Sequence, residues 1–344
     1  MKLKKIFAAV LAAAALTMTM TACQNGNSDS SGSENQSSNS SEANSDVSSD
    51  KVYNVGICQL VEHPALDAAT DGFKQALTDK LGDNVQFNFQ NAQNEATNCT
   101  TICNTFVASN VDLILANATA ALQSASSATS TIPIVGTSIT NYAVAMGFDD
   151  WADKTVDNIT GTSDLAPIDG QEAMLVEMFP DVQQVGILYC SAEANSKYQV
   201  DLFKNALDAD GIAYKEYSVA DTNEIQAVTT TAIGECDVLY IPTDNTFANA
   251  AETVRNIVVP AKIPVIAGEE GICSGCGVAT LSISYYDIGY KAGEMAYDIL
   301  VNGTKAGDMD IEFAPQFVKE YNEEICSELG LTIPDGYVAI GTEG

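Results

Sequence analysis

Two series of short β-rich runs, each separated by helical stretches and sharing one rhythm, constrain this chain more than any other feature. The first series reads VYNVGICQL (52–60), VQFNFQNA (85–92), VDLILANA (111–118) and IPIVGTSI (132–139). The second reads VGILYC (185–190), IAYKEYSVA (212–220), DVLYIPT (237–243), IPVIAGE (263–269) and VATLSIS (278–284). Segments between them have helical spacing: in PALDAATDGFKQAL, Leu66, Ala69, Phe73, Ala76 and Leu77 share one face, and Pro64 suits a first helical turn. Strands alternating with helices predict parallel sheets. IPIVGTS and IPVIAGE hold corresponding fourth-strand places, and a break near 163–167 splits the chain into two similar lobes. The expected fold class is therefore α/β, with two Rossmann-like lobes built on parallel sheets.

In such sheets ligands bind beyond the carboxyl ends of the strands. The residues expected there are VEHP after the first strand, NATAA (117–121), GTSIT (136–140) and GTSDL (161–165), then SAEANS (191–196), PTDNT (242–246) and AGEEG (267–271). Helix capping favours these same residue types, but TDNT and EANS gather more polar groups than one cap needs. Two facing sets of strand ends predict a cleft between the lobes. The sole histidine, His63, lies at the end of the first strand, as a cleft-lining residue or as one that shapes the mouth of the first helix.

The ends say where such a chain works. Lys2, Lys4 and Lys5 precede the apolar stretch IFAAVLAAAALTM, too short to span a bilayer comfortably. Residues 1–22 read as a signal peptide, and MTAC, ending in Cys23, resembles the lipobox of bacterial lipoproteins, in which the cysteine carries the lipid. Residues 23–51, rich in Ser and Asn, have almost nothing to bury and read as a disordered tether. The expected location is the outer face of the bacterial cell membrane. A net charge of −31, from 15 Lys and Arg against 46 Asp and Glu, argues against nucleic acid as a partner. Nine cysteines are many for an exported chain, yet most lie in apolar runs, where a thiol acts as a small hydrophobe. Cys99 and Cys103 read as core residues beside Ile102 and Phe106.

The stretches VEHPALDAATDGF, FQNAQNEATNCTTI, DLILANATAALQSA, ITGTSDLAPI, EANSKYQVDLFKNAL, DVLYIPTDNT, IPVIAGEEG and SYYDIGYKAGEMAYDIL, in this order, resemble the lipoprotein substrate-binding components of ABC importers linked to tryptophan and tyrosine uptake. The resemblance runs from about residue 52 to about 335. It implies a type I periplasmic-binding-protein fold with three crossovers, a first lobe of 52–163 plus 287–303, and a second of 164–286 plus 304–344. The tail strand at 310–322 would return to the second lobe. One departure is GICSGCGV, where relatives tend to carry charge. With one distant histidine, Cys273 and Cys276 fit a zinc site poorly; the three nearby glycines suggest a tight loop holding a local disulfide or free thiols.

An amino-acid ligand presents a carboxylate, an ammonium and a side chain. Thr119, Thr137 and Ser138 suit the carboxylate at helix N-termini. Asp244, Glu269 or Glu62 suit the ammonium. Tyr142, Tyr198, Tyr285 and Tyr286 are candidate aromatic walls. His63, Asp164, Asn195, Ser196, Asn245 and Thr246 complete the expected ligand-binding set.

The expected function is capture of an aromatic amino acid and delivery to a permease with its ATPase, by a monomer without cofactor or metal. The alternatives are a surface adhesin or sensor, and an enzyme using Asp244 and Glu269. One histidine, and no G-x-S-x-G, H-E-x-x-H, P-loop or G-x-G-x-x-G, leave little for the last.

Overall fold

The computed structural model describes residues 51–154 and 156–341. The expected signal segment, Cys23 and the tether up to residue 50 lie outside them. No helix among the described residues is long and apolar enough to cross a membrane.

The first lobe runs β1 (Tyr53–Gln59), α1 (Pro64–Leu81), β2 (Val85–Asn91), α2 (Ala96–Ala108), β3 (Leu113–Asn117), α3 (Thr119–Ala128), β4 (Ile134–Ile139), α4 (Tyr142–Met146) and β5 (Ile159–Ser163). The second runs α5 (Ile168–Met178), β6 (Gln184–Cys190), α6 (Ala194–Asp210), β7 (Ala213–Val219), α7 (Ile225–Ala232), β8 (Val238–Ile241), α8 (Asn245–Asn249), α9 (Ala251–Ala261), β9 (Val265–Ala267), α10 (Glu270–Cys276) and β10 (Ala279–Ser282). The remainder holds α11 (Tyr285–Leu300), β11 (Glu312–Phe313), β12 (Val318–Tyr321), α12 (Glu323–Leu329) and β13 (Val338–Ala339).

The sheet orders are β11-β5-β4-β3-β1-β2 and β13-β12-β10-β9-β8-β6-β7. Order reverses at β1 in the first sheet and at β6 in the second, which sets the loops after β1, β3, β6 and β8 at the ligand crevice. Strands β1, β3 and β4 are buried on both faces, as helices on either side require. All pairs are parallel except β10 with β12, so the second sheet is mixed.

Three expectations need correction. β5, buried throughout as ITGTS, extends the first sheet where only a polar crossing was read. The tail does not return to the second lobe at 304: Glu312–Phe313 pair with Thr162–Ser163, and Thr160 Oγ1 donates to the Met309 and Asp310 carbonyls. The third crossover therefore lies at 314–317, and only β12 onward joins the second sheet. The Cys273–Cys276 segment is a short helix capped by Glu269, its thiols free and buried.

Helix α11 belongs with the first lobe, locked to α1 by backbone contact. A Cβ on Gly72 would sit 2.1 Å from the Tyr286 carbonyl oxygen, and one on Gly289 2.0 Å from that of Ala69. Only glycine permits this approach, so α1 and the first turns of α11 pack backbone against backbone.

Candidate functional site

The turn from β1 into α1 is held by a buried amide network. Asn117 Nδ2 donates to the Leu66 carbonyl (2.8 Å) and to Thr70 Oγ1 (3.0 Å), Thr70 Oγ1 donates to Gln59 Oε1 (2.6 Å), and Gln59 Nε2 donates to the Val61 carbonyl (2.9 Å). This fixes His63, the N-cap residue of α1, whose side chain is 7 % exposed and caps nothing. Its Nε2 lies 3.2 Å from Asn245 Oδ1 of the second lobe, and its Nδ1 is buried with no partner among the described residues. Burial holds its pKa below the ordinary 6.5. A second bond across the cleft runs from Asn94 Nδ2 to Thr246 Oγ1 (3.2 Å). The lobes thus touch directly.

Helix α3 starts at Thr119, buried, after Ala118 at φ 86°, and no side chain caps its first turn. Nearby, Ser138 is buried at φ 56° with Oγ unpartnered among the described residues. Thr137 is instead spent inside the lobe, accepting from Thr162 Oγ1 at 3.1 Å. Tyr142 likewise belongs to the core, its hydroxyl donating to the Thr162 carbonyl.

Asp164, at the first crossover, is 4 % exposed; Tyr285 from the second crossover donates to its Oδ2 at 3.1 Å, while Oδ1 has no partner among the described residues. Burial pushes its pKa up to about 6. Two other expected carboxylates are already spent. Asp244 caps α8, accepting from Phe247 N–H (2.9 Å) and Cys190 N–H (2.6 Å). Glu269 caps α10, accepting from Gly271 and Ile272 N–H at 2.6 and 2.5 Å, and burial pushes its pKa up to about 7. The third, Glu62, is exposed and faces an outer groove with Asp67, Asp71 and Lys74.

Glu193, the first residue of the EANS cluster but left out of the expected ligand-binding set, organises the second-lobe rim. It accepts from the Asn245 N–H (3.1 Å) and Nδ2 (2.7 Å), the Thr246 N–H (2.9 Å) and Oγ1 (2.8 Å), and Asn195 Nδ2 (3.0 Å). Asn195 also reaches Ser196 Oγ and the Thr243 carbonyl. Of the expected tyrosines, Tyr285 is buried at the site, whereas Tyr286 is 42 % exposed against Tyr290 and Tyr198 is half-buried on α6.

Two cavities flank this cluster. One of about 320 Å³ lies between the first turns of α1 and α10 and the second crossover, with Tyr285 in its wall. The other, about 430 Å³, has Tyr142, Trp151, Leu165, Ile311 and Phe313 in its lining, bringing the only tryptophan against the first crossover and β11. No group of His, Cys, Asp and Glu among the described residues could hold a metal ion.

A family model described as ABC transporter substrate binding protein matches residues 54–343. The chain is 36 % identical over 294 residues to a tyrosine-binding protein of Clostridioides difficile, covering 85 % of each. A Streptococcus pneumonia ABC domain solved in complex with L-Trp is 30 % identical, with TM-score 0.79 over 84 % of this chain and 100 % of that one. A substrate-binding protein with adhesive properties from Clostridium difficile, solved in a ligand-free, open form, is 36 % identical, with TM-score 0.64 over 85 % and 100 %. The more identical chain superposes less well. In this chain hydrogen bonds cross the cleft from His63 to Asn245 and from Asn94 to Thr246, so the lobes are closed on one another there.

Proposed function

Since the chain belongs to the family of ABC transporter substrate-binding proteins, with their type I two-lobed fold, we propose that it captures an aromatic amino acid between its lobes and delivers it to a membrane permease. One observation carries this reading. His63 Nδ1 after β1, Ser138 Oγ near the end of β4 and the ionisable Oδ1 of Asp164 at the first crossover are buried without partners among the described residues, a state that costs free energy unless a ligand supplies the missing bonds. The Asp164 carboxylate suits an ammonium. The uncapped first turn of α3 with Ser138 suits a carboxylate. Tyrosine and tryptophan are the ligands named for two relatives.

Capture without chemistry fits these groups, for Asp244 and Glu269 are committed to helix caps. A lipid on Cys23, the extracytoplasmic location, a monomeric state and the permease and ATPase partners belong to the same proposal. A second reading, surface adhesion, has one observation behind it: Tyr286, Phe313, Phe317 and Val318 are exposed around the third crossover, and one relative is described as adhesive.

The test is calorimetry and thermal shift on residues 24–344 with all amino acids, nucleosides and short peptides. A ligand at 100 times its Kd adds about 2.7 kcal/mol of stability. A shift confined to tyrosine, tryptophan or phenylalanine supports the assignment. A shift with an unrelated solute, or none in ligand-stripped protein, sinks it.

A further inference from the structure

The bonds across the cleft converge on one carboxylate of the second lobe. Glu193 Oε2 takes both the backbone N–H and Nδ2 of Asn245, and Oε1 takes the N–H and hydroxyl of Thr246. A carboxylate only accepts, so the Asn245 amide must point Nδ2 at Glu193 and its oxygen at His63. A carbonyl oxygen also only accepts, so the ring atom opposite it, Nε2 at 3.2 Å, must carry the proton. The buried Nδ1 is then a bare lone pair. Thr246 obeys the same logic: its proton is given to Glu193, leaving its oxygen to accept from Asn94.

We propose that Glu193 is a positioning residue that latches the closed lobes through Asn245 and Thr246, and that closure locks His63 in the Nε2–H tautomer. Nδ1 then accepts from a donor group of the ligand, an N–H or O–H, and rejects an acceptor such as a carboxylate oxygen. This rests on the capture reading for the identity of the ligand, not for the latch. Because the latch is made of protein–protein bonds, it sets how often the unliganded lobes close, and apparent affinity scales with that fraction.

A single histidine gives a single pair of ring nitrogens, so 15N-histidine labelling reads the tautomer without assignment. In tyrosine-saturated protein the two-bond 1H–15N pattern should be that of the Nε2–H form, with no titration near pH 6.5. Glu193→Gln should release the ring to a mixed, titrating state and weaken affinity about tenfold, through faster ligand release. Asn245→Ala should release the ring in the same way, which guards against a folding defect in either variant. To separate the two proposals, an Asn94→Cys/Thr246→Cys cross-link closes the lobes without ligand. If no aromatic amino acid binds, the capture reading falls, and the cross-linked ring still decides the latch. An Nδ1–H tautomer, a ring that titrates normally when the lobes are closed, or unchanged tautomer and affinity in both variants overturns it.

Discussion

The two lobes share a strand–helix order, yet they use the same polar residue types in opposite ways. On the first lobe the strand ends keep groups in reserve: Ser138 Oγ and His63 Nδ1 are unpartnered among the described residues, and α1 and α3 start without side-chain caps. On the second lobe the groups are consumed, Asp244 and Glu269 by their own helices and Asn195, Asn245 and Thr246 by Glu193. In the proposed reading the first face would meet the ligand, and the second, its polar groups already paired, would close over it. Asp164, at the crossover between them, keeps one free oxygen.

The sharpest way to break this contrast is Asp164→Asn. Removing this buried carboxylate, one oxygen of which has no partner among the described residues, should cost about 2–4 kcal/mol of binding, read by calorimetry, while the fold survives. Retained affinity would move the ammonium site elsewhere. Asp244→Ala should do the reverse. It strips the α8 cap and orphans the buried Cys190 N–H, costing about 2–3 kcal/mol in urea unfolding, with affinity falling less than in Asp164→Asn.

Acidity should separate the bound and free forms. Asp164 and Glu269, raised by burial from 3.8 and 4.5 to about 6 and about 7, hold their protons more tightly in the fold than out of it. Their contribution is present below their unfolded pKa values and lost as pH rises through 6 to 7. Glu320, also raised to about 7, adds to it; His63, lowered by burial, opposes it. The unliganded protein should therefore melt higher at pH 5 than at pH 7.5. The ligand-induced rise should shrink as pH falls through the same interval, because a protonated Asp164 has no charge to offer an ammonium. Parallel slopes with and without ligand would detach Asp164 from the site. The smallest effect is expected of Ser138→Ala: a few-fold loss of affinity with unfolding changed by no more than about 0.5 kcal/mol.

Much of the fold was legible because strands buried on both faces write themselves as continuous apolar runs, VGIC in β1 and LILA in β3. β5 was not, since a buried ITGTS is polar by composition and its burial comes from neighbours in the sheet. The tail misled because β11 and β12 are two and four residues long, too short for a period to emerge. The strand-end positions of the site were legible; their allegiance was not. Asp244 and Glu269 stand directly before a helix, where the N–H three residues ahead, and for Glu269 also the one two ahead, folds back onto them. Asp164 is followed by Leu165, Ala166 and Pro167, and proline has no N–H to return. That difference is written in the sequence, though composition hides it. The EANS cluster flagged Glu193, but its role was not legible, because it precedes one helix and serves another, a partnership 52 residues long that no local pattern encodes.

The aromatic pocket beside the hinge gives the molecule a gauge of its own. Trp151 is the only indole in the chain, its ring 5.4 Å from Tyr142, and it shares that pocket with Leu165 of the first crossover and with Phe313, one residue before the third. Most of that pocket rides with the first lobe, so bending at the first crossover should move Leu165 against the indole. Emission excited on the red edge, where tyrosine is dark, should then report the opening and shutting of the lobes, with no label attached and a tyrosine ligand invisible.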